Sequence, residues 1–155
     1  MGTLSDNPRV AILPPFLFGG AFLVVVLLQL IWPLRLVPYP IALWIGPMLL
    51  VVSLAIGLWG RKTMHRAGTN ISPLKPSINL VNTGPYRFSR NPLYVAMTLL
   101  YLGLTFLFNS WWGVALLIPV LLVLHFGVVR REERYLERKF GEEYLAYRSQ
   151  VRRYL

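Results

Sequence analysis

Asn91-Pro-Leu-Tyr-Val-Ala-Met-Thr-Leu-Leu-Tyr101-Leu-Gly-Leu-Thr-Phe-Leu-Phe-Asn109-Ser110-Trp-Trp-Gly-Val-Ala-Leu-Leu-Ile-Pro119-Val-Leu-Leu-Val-Leu-His125-Phe-Gly-Val-Val129 runs for 39 residues without an Asp, Glu, Lys or Arg. As a single helix it would extend about 58 Å at about 1.5 Å per residue, nearly twice a hydrocarbon core of about 30 Å. The stretch therefore has to fold back on itself, and Asn109-Ser110 is the only polar pair near its middle. The sequence predicts a tight helical hairpin with legs over residues 92–108 and 111–129, the second open to a kink at Pro119.

Working outward, two more charge-free intervals of 25 residues each cover 10–34 and 36–60. Each is long enough for a helix of about 20 residues to cross a bilayer. The expectation is an all-α integral membrane protein of about four transmembrane helices, forming one membrane domain over 1–155. Two spanning helices fall in 1–60, a cytosolic loop in 61–92, the hairpin in 92–129 and a cytosolic amphipathic helix in 130–155. The apolar stretch after the polar N-terminus, with its Asp6 and Arg9, is too long for a signal-peptide core.

Composition agrees. Hydrophobic residues make up 55% of the chain and charged residues 14%, against about 25% charged in soluble domains. A net charge of +10 in a soluble protein would point to nucleic acid; here the bases border apolar runs, which points to a membrane surface and to no nucleic acid. With no Cys and two His, disulfides, thiolate metal sites and a zinc centre are excluded as the basis of function. The chain also lacks a P-loop or a G-x-G-x-x-G fingerprint.

The bases are placed asymmetrically. The segment 61–90 carries Arg61, Lys62, Arg66, Lys75, Arg87 and Arg90 with no acid, and eight more bases follow from Arg130 onward. With Arg9, that puts 15 of the 16 on one side of the predicted spans and leaves Arg35 on the other. The positive-inside rule then sets both termini and the basic face in the cytoplasm. Beyond Arg130 the apolar positions Leu136, Phe140, Tyr144, Tyr147 and Val151 recur every three or four residues, the pattern of an amphipathic helix that Gly141 interrupts or bends. Such a basic helix suits anionic membrane lipids.

Three features carry candidate chemistry. Asn91-Pro92 reads as an N-cap followed by Pro at the first helical position. A helix start flanked by Arg87 and Arg90 suits an anionic group, whether a ligand carboxylate or phosphate or a lipid headgroup. Glu132 and Glu133 follow the last span beside Arg130 and Arg131. They read equally as a salt-bridged helix start or as carboxylates accepting hydrogen bonds from a ligand. His125, deep in the fourth span, is expected to be neutral and bonded to a neighbouring helix; His65 belongs to the basic surface.

The string Gly84-Pro-Tyr-Arg-Phe-Ser-Arg-Asn-Pro-Leu-Tyr94, followed after the hairpin by Arg131-Glu-Glu-Arg-Tyr-Leu-Glu-Arg-Lys-Phe-Gly-Glu-Glu-Tyr-Leu-Ala-Tyr147, resembles the isoprenylcysteine carboxyl methyltransferase family. That family belongs to a wider group of membrane methyltransferases with phospholipid N-methyltransferase relatives. The resemblance spans roughly residues 78–153. It implies S-adenosylmethionine as cofactor, held between the hairpin and the C-terminal helix. The implied contacts are Asn79, Leu80, Val81, Tyr86, Asn91, Pro92, Leu93, Tyr94 and Glu132, with Arg90 beside them. Arg90 and the helix start would take the methionine carboxylate, tyrosine rings would pack on adenine or the sulfonium, and Glu132 would hold polar groups. Where the family carries His, this chain has Ile78 and Asn91, and where it carries a substrate-linked arginine, this chain has Val128.

The implied function is methyl transfer to a lipophilic or lipidated, membrane-embedded substrate. A carboxylate nucleophile would need no base; an amine or thiol would, and Glu133 or a tyrosine is the local candidate for it, with Arg131 the other expected catalytic residue. Two other classes compete: an NADPH-dependent reductase resembling the membrane sterol reductases, its phosphates on Arg87, Arg90 and Arg131, and a non-enzymatic lipid-binding scaffold.

Overall fold

A computed structural model describes residues 8–154. The described residues form helices and connecting segments, with no strand among them. Helix α1 spans Pro14–Ile31 and α2 Tyr39–Arg66. A 3-10 turn at Gly84–Arg87 precedes α3, Pro92–Leu107. Helix α4, Trp111–Leu124, passes through a π-helical turn at His125–Val129 into α5, Arg130–Phe140, and α6 covers Glu142–Gln150.

The hairpin turns where the sequence predicts, at Asn109, whose positive φ of 50° bends the chain out of α3. Its side chain does more than turn. Leu36 N–H and Val37 N–H donate to Asn109 Oδ1 at 3.0 and 2.9 Å, and Asn109 Nδ2 donates to Val37 O at 2.8 Å. Ser110 Oγ donates to Gln29 Oε1, and Trp112 Nε1 donates to Trp32 O, both at 2.8 Å. The α1–α2 connection is thereby tied to the α3–α4 turn at the end opposite the basic face. Inside an apolar slab such polar groups have to be satisfied by one another.

Between the ends, packing takes over. Helix α2 lies along α3 through small residues. A Cβ on Gly46 would stand 3.1 Å from Gly103 O, one on Gly103 would stand 3.0 Å from Gly46 O, and Ser53 Oγ donates to Ala96 O at 2.7 Å. Removing side chains lets the two backbones approach, which is how helices associate where burial of apolar surface offers little gain. Helix α1 packs on α4 and α3 through Phe18, Val25, Tyr101, Val120 and Leu124, with edge-on aromatic contacts of Phe18 and Phe22 to Tyr101.

The structure differs from the sequence reading at four places. Helix α2 continues through Arg61, Lys62 and Arg66, so those bases ride on its last turns and not on a loop. Three helices are long and apolar enough to cross a membrane, and α3 is a shorter apolar helix of 16 residues, about 24 Å at about 1.5 Å per residue. The last span does not stop at Val129: Trp111–Phe140 is one rod of 30 residues, because Arg130–Arg134 contains only good helix formers and no breaker. The C-terminal helix breaks at Gly141, as expected, with φ of 53°, yet it ends at Gln150 and gives way to an extended tail. Leu155 and the polar residues 1–7, including Asp6, lie outside the described residues.

The close crossing is testable. Gly103→Val should cost about 1–3 kcal/mol in thermal or denaturant unfolding of the detergent-solubilised protein. Gly19→Val should be near neutral, since a Cβ on Gly19 meets nothing within 4 Å.

Candidate functional site

The basic end of the bundle carries an open cavity. Five segments wall it: Pro8 ahead of α1, the end of α2 at Met64, the stretch 69–81, the 3-10 turn running into α3, and the α5–α6 pair. Each is held by a specific contact. Thr69 Oγ1 accepts from Ile78 N–H at 3.0 Å and Asn79 Nδ2 donates to Ala67 O at 2.7 Å, folding the loop against the end of α2. Ser77 N–H donates to the Tyr135 hydroxyl at 3.1 Å, pinning the loop to α5. Gly84, at φ 58°, presses its backbone against Thr63 where a Cβ would overlap the threonine hydroxyl. Tyr147 Oη donates to Tyr86 O at 2.7 Å, fastening the 3-10 turn to α6.

All ten positions expected to contact a cofactor line this one cavity: Asn79, Leu80, Val81, Tyr86, Arg90, Asn91, Pro92, Leu93, Tyr94 and Glu132. Glu133 lines it too, and Arg131 does not; its guanidinium points away and donates to Arg9 O at 2.9 Å. A catalytic Arg131 is therefore not supported by its position. Ile78 is largely exposed, and Val128 is fully buried in the bundle core, away from the cavity. His125 bonds, through Nδ1, to the Tyr154 hydroxyl at 2.9 Å, a partner on the C-terminal tail and not on a neighbouring helix.

The two adjacent glutamates have different surroundings. Glu133 is gripped by cations: Arg90 Nη1 lies 3.0 Å from Oε1, Arg153 Nε donates to Oε1 at 2.8 Å and Arg153 Nη2 to Oε2 at 2.9 Å. Arg90 and Glu133 are buried, with side chains 8% and 11% exposed. The Glu133 hydrogen bond raises the pKa of Arg153 further above its ordinary value. Glu132, by contrast, has no cation on it among the described residues; Tyr94 Oη donates to its Oε1 at 2.7 Å. Around them the phenols of Tyr86 and Tyr147 are pushed well up by burial, so they stay neutral donors at physiological pH.

At the start of α3 Asn91 and Pro92 hold the N-cap and first-turn positions as expected, but the side-chain cap bond is absent. Asn91 Nδ2 donates to Arg153 O at 2.9 Å and its N–H to Ser89 Oγ at 3.1 Å. Arg90 N–H donates to Arg152 O at 2.9 Å. The amides of Arg90 and Asn91 are thus spent within the protein. Arg90 Nη1 also donates to Tyr144 Oη at 3.2 Å, whereas Nε is buried with no hydrogen-bond partner among the described residues. A buried, charged donor without an acceptor is costly unless a ligand supplies one.

Sequence reasoning missed Thr69, Tyr135, Tyr144, Tyr147 and Arg153. Tyr144 and Tyr147 stand in the quoted C-terminal string, yet their spacing reads as the apolar face of a helix. The tail carried no signal at all beyond its charge.

Comparison with known proteins bears on this geometry. The phospholipid methyltransferase family model matches residues 41–143, from α2 to the start of α6. An uncharacterized protein of Haemophilus influenzae is 44% identical over 66 residues, which are 41% of this chain and the whole of that protein. No solved structure matches.

Burial sorts the ion pairs by worth. Glu133→Gln should destabilise the detergent-solubilised protein by about 3 kcal/mol or more, because it strands Arg90 away from water. Glu137→Gln, which breaks an exposed pair with Arg148 (42% and 44% exposed), should cost under about 1 kcal/mol in the same unfolding measurement.

Proposed function

We propose that this chain, which belongs to the phospholipid methyltransferase family and is thereby a membrane methyltransferase, uses S-adenosylmethionine bound in the cavity at its basic end to methylate a lipophilic, membrane-embedded substrate. The observation that carries the reading is convergence. Nine residues implied by the resemblance, scattered from Asn79 to Glu132, and Arg90 beside them wall a single cavity, and Arg90 Nε has no partner among the described residues. The donor set fits the cofactor's groups: a spare guanidinium donor for a carboxylate, a carboxylate for amino or hydroxyl groups, and aromatic rings for a purine and a sulfonium.

When bound, S-adenosylmethionine supplies a methyl group made electrophilic by its sulfonium. The protein's part is to hold and orient. Arg90 would offer Nε to the carboxylate while Glu133 and Tyr144 fix its other end. Glu132, steadied by Tyr94, would accept from hydroxyl or amino groups, and Tyr86 and Tyr94 would wall the aromatic part. The stretch 69–81, pinned at Thr69 and Tyr135, would limit water, so that catalysis rests on positioning and desolvation. A carboxylate nucleophile of the isoprenylcysteine type is already ionised and needs no base. Glu133, held by two guanidiniums, is poorly suited to act as one for an amine or thiol. The basic end, with both termini, faces the cytoplasm on this reading, since 15 of the 16 Lys and Arg residues lie on that side.

Calorimetry on the detergent-purified protein tests the proposal. S-adenosylmethionine should bind, and Tyr94→Phe and Glu132→Gln should each weaken binding by about tenfold or more, the worth of a hydrogen bond to a charged group. Labelled methyl should then appear in a lipid fraction after incubation with membranes. Binding of NADPH in place of S-adenosylmethionine would move the protein to the reductase class, and binding of neither would leave a lipid-binding scaffold.

A further inference from the structure

The C-terminal tail, residues 151–154, lies beyond the residues matched by the family model, yet it supplies contacts to the cavity wall that no other segment provides. Arg152 O and Arg153 O accept from Arg90 N–H and Asn91 Nδ2 at 2.9 Å each. The Arg153 guanidinium meets Glu133 in a two-pronged fork, Nε to Oε1 and Nη2 to Oε2.

The fork has a consequence for Arg90. A carboxylate facing a guanidinium prefers the parallel, two-bond arrangement. Glu133 already gives that arrangement to Arg153, so Arg90 reaches it through Nη1 alone and shares the same nitrogen with Tyr144. Arg90 lines the cavity, and its Nε is buried with no partner among the described residues. We infer that Arg153 is a positioning residue: by occupying both oxygens of Glu133 it keeps Arg90 from collapsing onto that carboxylate, and so holds Arg90 Nε available for the acidic group of the ligand. Without Arg153, Glu133 is free to take Arg90 in the two-bond geometry and the donor turns away from the cavity. This inference rests on the proposed use of S-adenosylmethionine, but its geometric half does not need any ligand.

Two measurements on the full-length protein in detergent separate the possibilities. In the first, nitrogen-15 NMR of the arginine Nε–H groups, assigned with Arg90→Lys, reads Arg90 in the ligand-free protein. Arg153→Ala should shift the Arg90 resonance downfield as it gains the Glu133 acceptor; an unmoved resonance overturns the inference. In the second, calorimetry with S-adenosylmethionine should show Arg153→Ala weakening binding by about tenfold, with no further loss when Arg153→Ala is added to Arg90→Ala. Arg138→Ala removes the same charge from an exposed site and should bind as the wild type does; equal weakening in both variants would reduce the effect to general charge and overturn the inference. If Arg153→Ala does not fold, Arg153→Lys, which keeps the charge without the fork, takes its place. Weakened binding there supports the inference and wild-type affinity overturns it. Failure of the wild-type protein to bind S-adenosylmethionine would instead refute the proposed cofactor and leave the NMR result to decide the positioning.

Discussion

One carboxylate organises the basic end of this protein. Glu133 on α5 is paired with Arg90 before α3 and with Arg153 in the C-terminal tail, segments separated by some forty residues on one side and twenty on the other. Burying a carboxylate and a guanidinium together costs desolvation that the attraction between them offsets only when the geometry is good and the remaining valences are filled. Here most are filled, by the fork from Arg153 and by Tyr144 on Arg90, and Arg90 Nε is left without a partner among the described residues. The gain from such a cluster lies less in net stability than in which arrangement it allows. With the charges fixed, the start of α3, the fifth helix and the tail have one mutual placement, and the cavity is the space left between them and the loop folded over Thr69.

The opposite end solves the same physical problem with neutral groups. Asn109 gives three hydrogen bonds to the α1–α2 connection, and Ser110 and Trp112 add two more. Neither end could be left open, because an unpaired polar group near hydrocarbon costs more than one facing water. The middle of the bundle has no such requirement and packs instead by contact: glycines where α2 meets α3, aromatic edges where α1 meets α3. A latch at one end and an ion cluster at the other thus bracket a core without charge, whose buried hydroxyls are those of Ser53, Tyr101 and Thr105 among the described residues.

The outline was legible because bilayer thickness is a one-dimensional constraint. Intervals free of charge located α1 and α2, and a 39-residue interval with one polar pair had to turn at Asn109. Arg90, Asn91, Pro92, Glu132 and Glu133 were legible from the helix start and its charges; the other expected wall positions were legible only through resemblance, since nothing in the spacing of Asn79, Tyr86 and Tyr94 marks them as neighbours. What stayed hidden is what depends on helix phase and on the tail. Whether Arg130 begins a new helix or continues the last one is decided by the absence of a breaker, a weak signal; continuity through the π turn at His125–Val129 sets the phase of everything after it. Asn91 holds the cap position without its side-chain bond because Arg153 O competes for the same side chain, and a contact over 62 residues leaves no local trace.

Phase also explains how two identical neighbours come to differ. Successive residues on a helix point about 100° apart, so a rod rising out of the bundle must send Glu132 and Glu133 in different directions. The direction of each is fixed by the span below, not by the charged sequence around it. Glu133 faces the tail and is consumed by two guanidiniums, while Glu132 faces the start of α3 and meets a neutral phenol. A carboxylate without a cation, beside a guanidinium with an unspent donor, makes a wall of mixed sign suited to a ligand carrying both charges. That wall is completed by contacts from residues 151–154, beyond the residues that the family model matches. The segment that the model matches and the segments that build the cavity therefore have different ends. Physical chemistry gives the reason: a tail need only present two carbonyls and one guanidinium at the right places, a demand too sparse to leave a pattern.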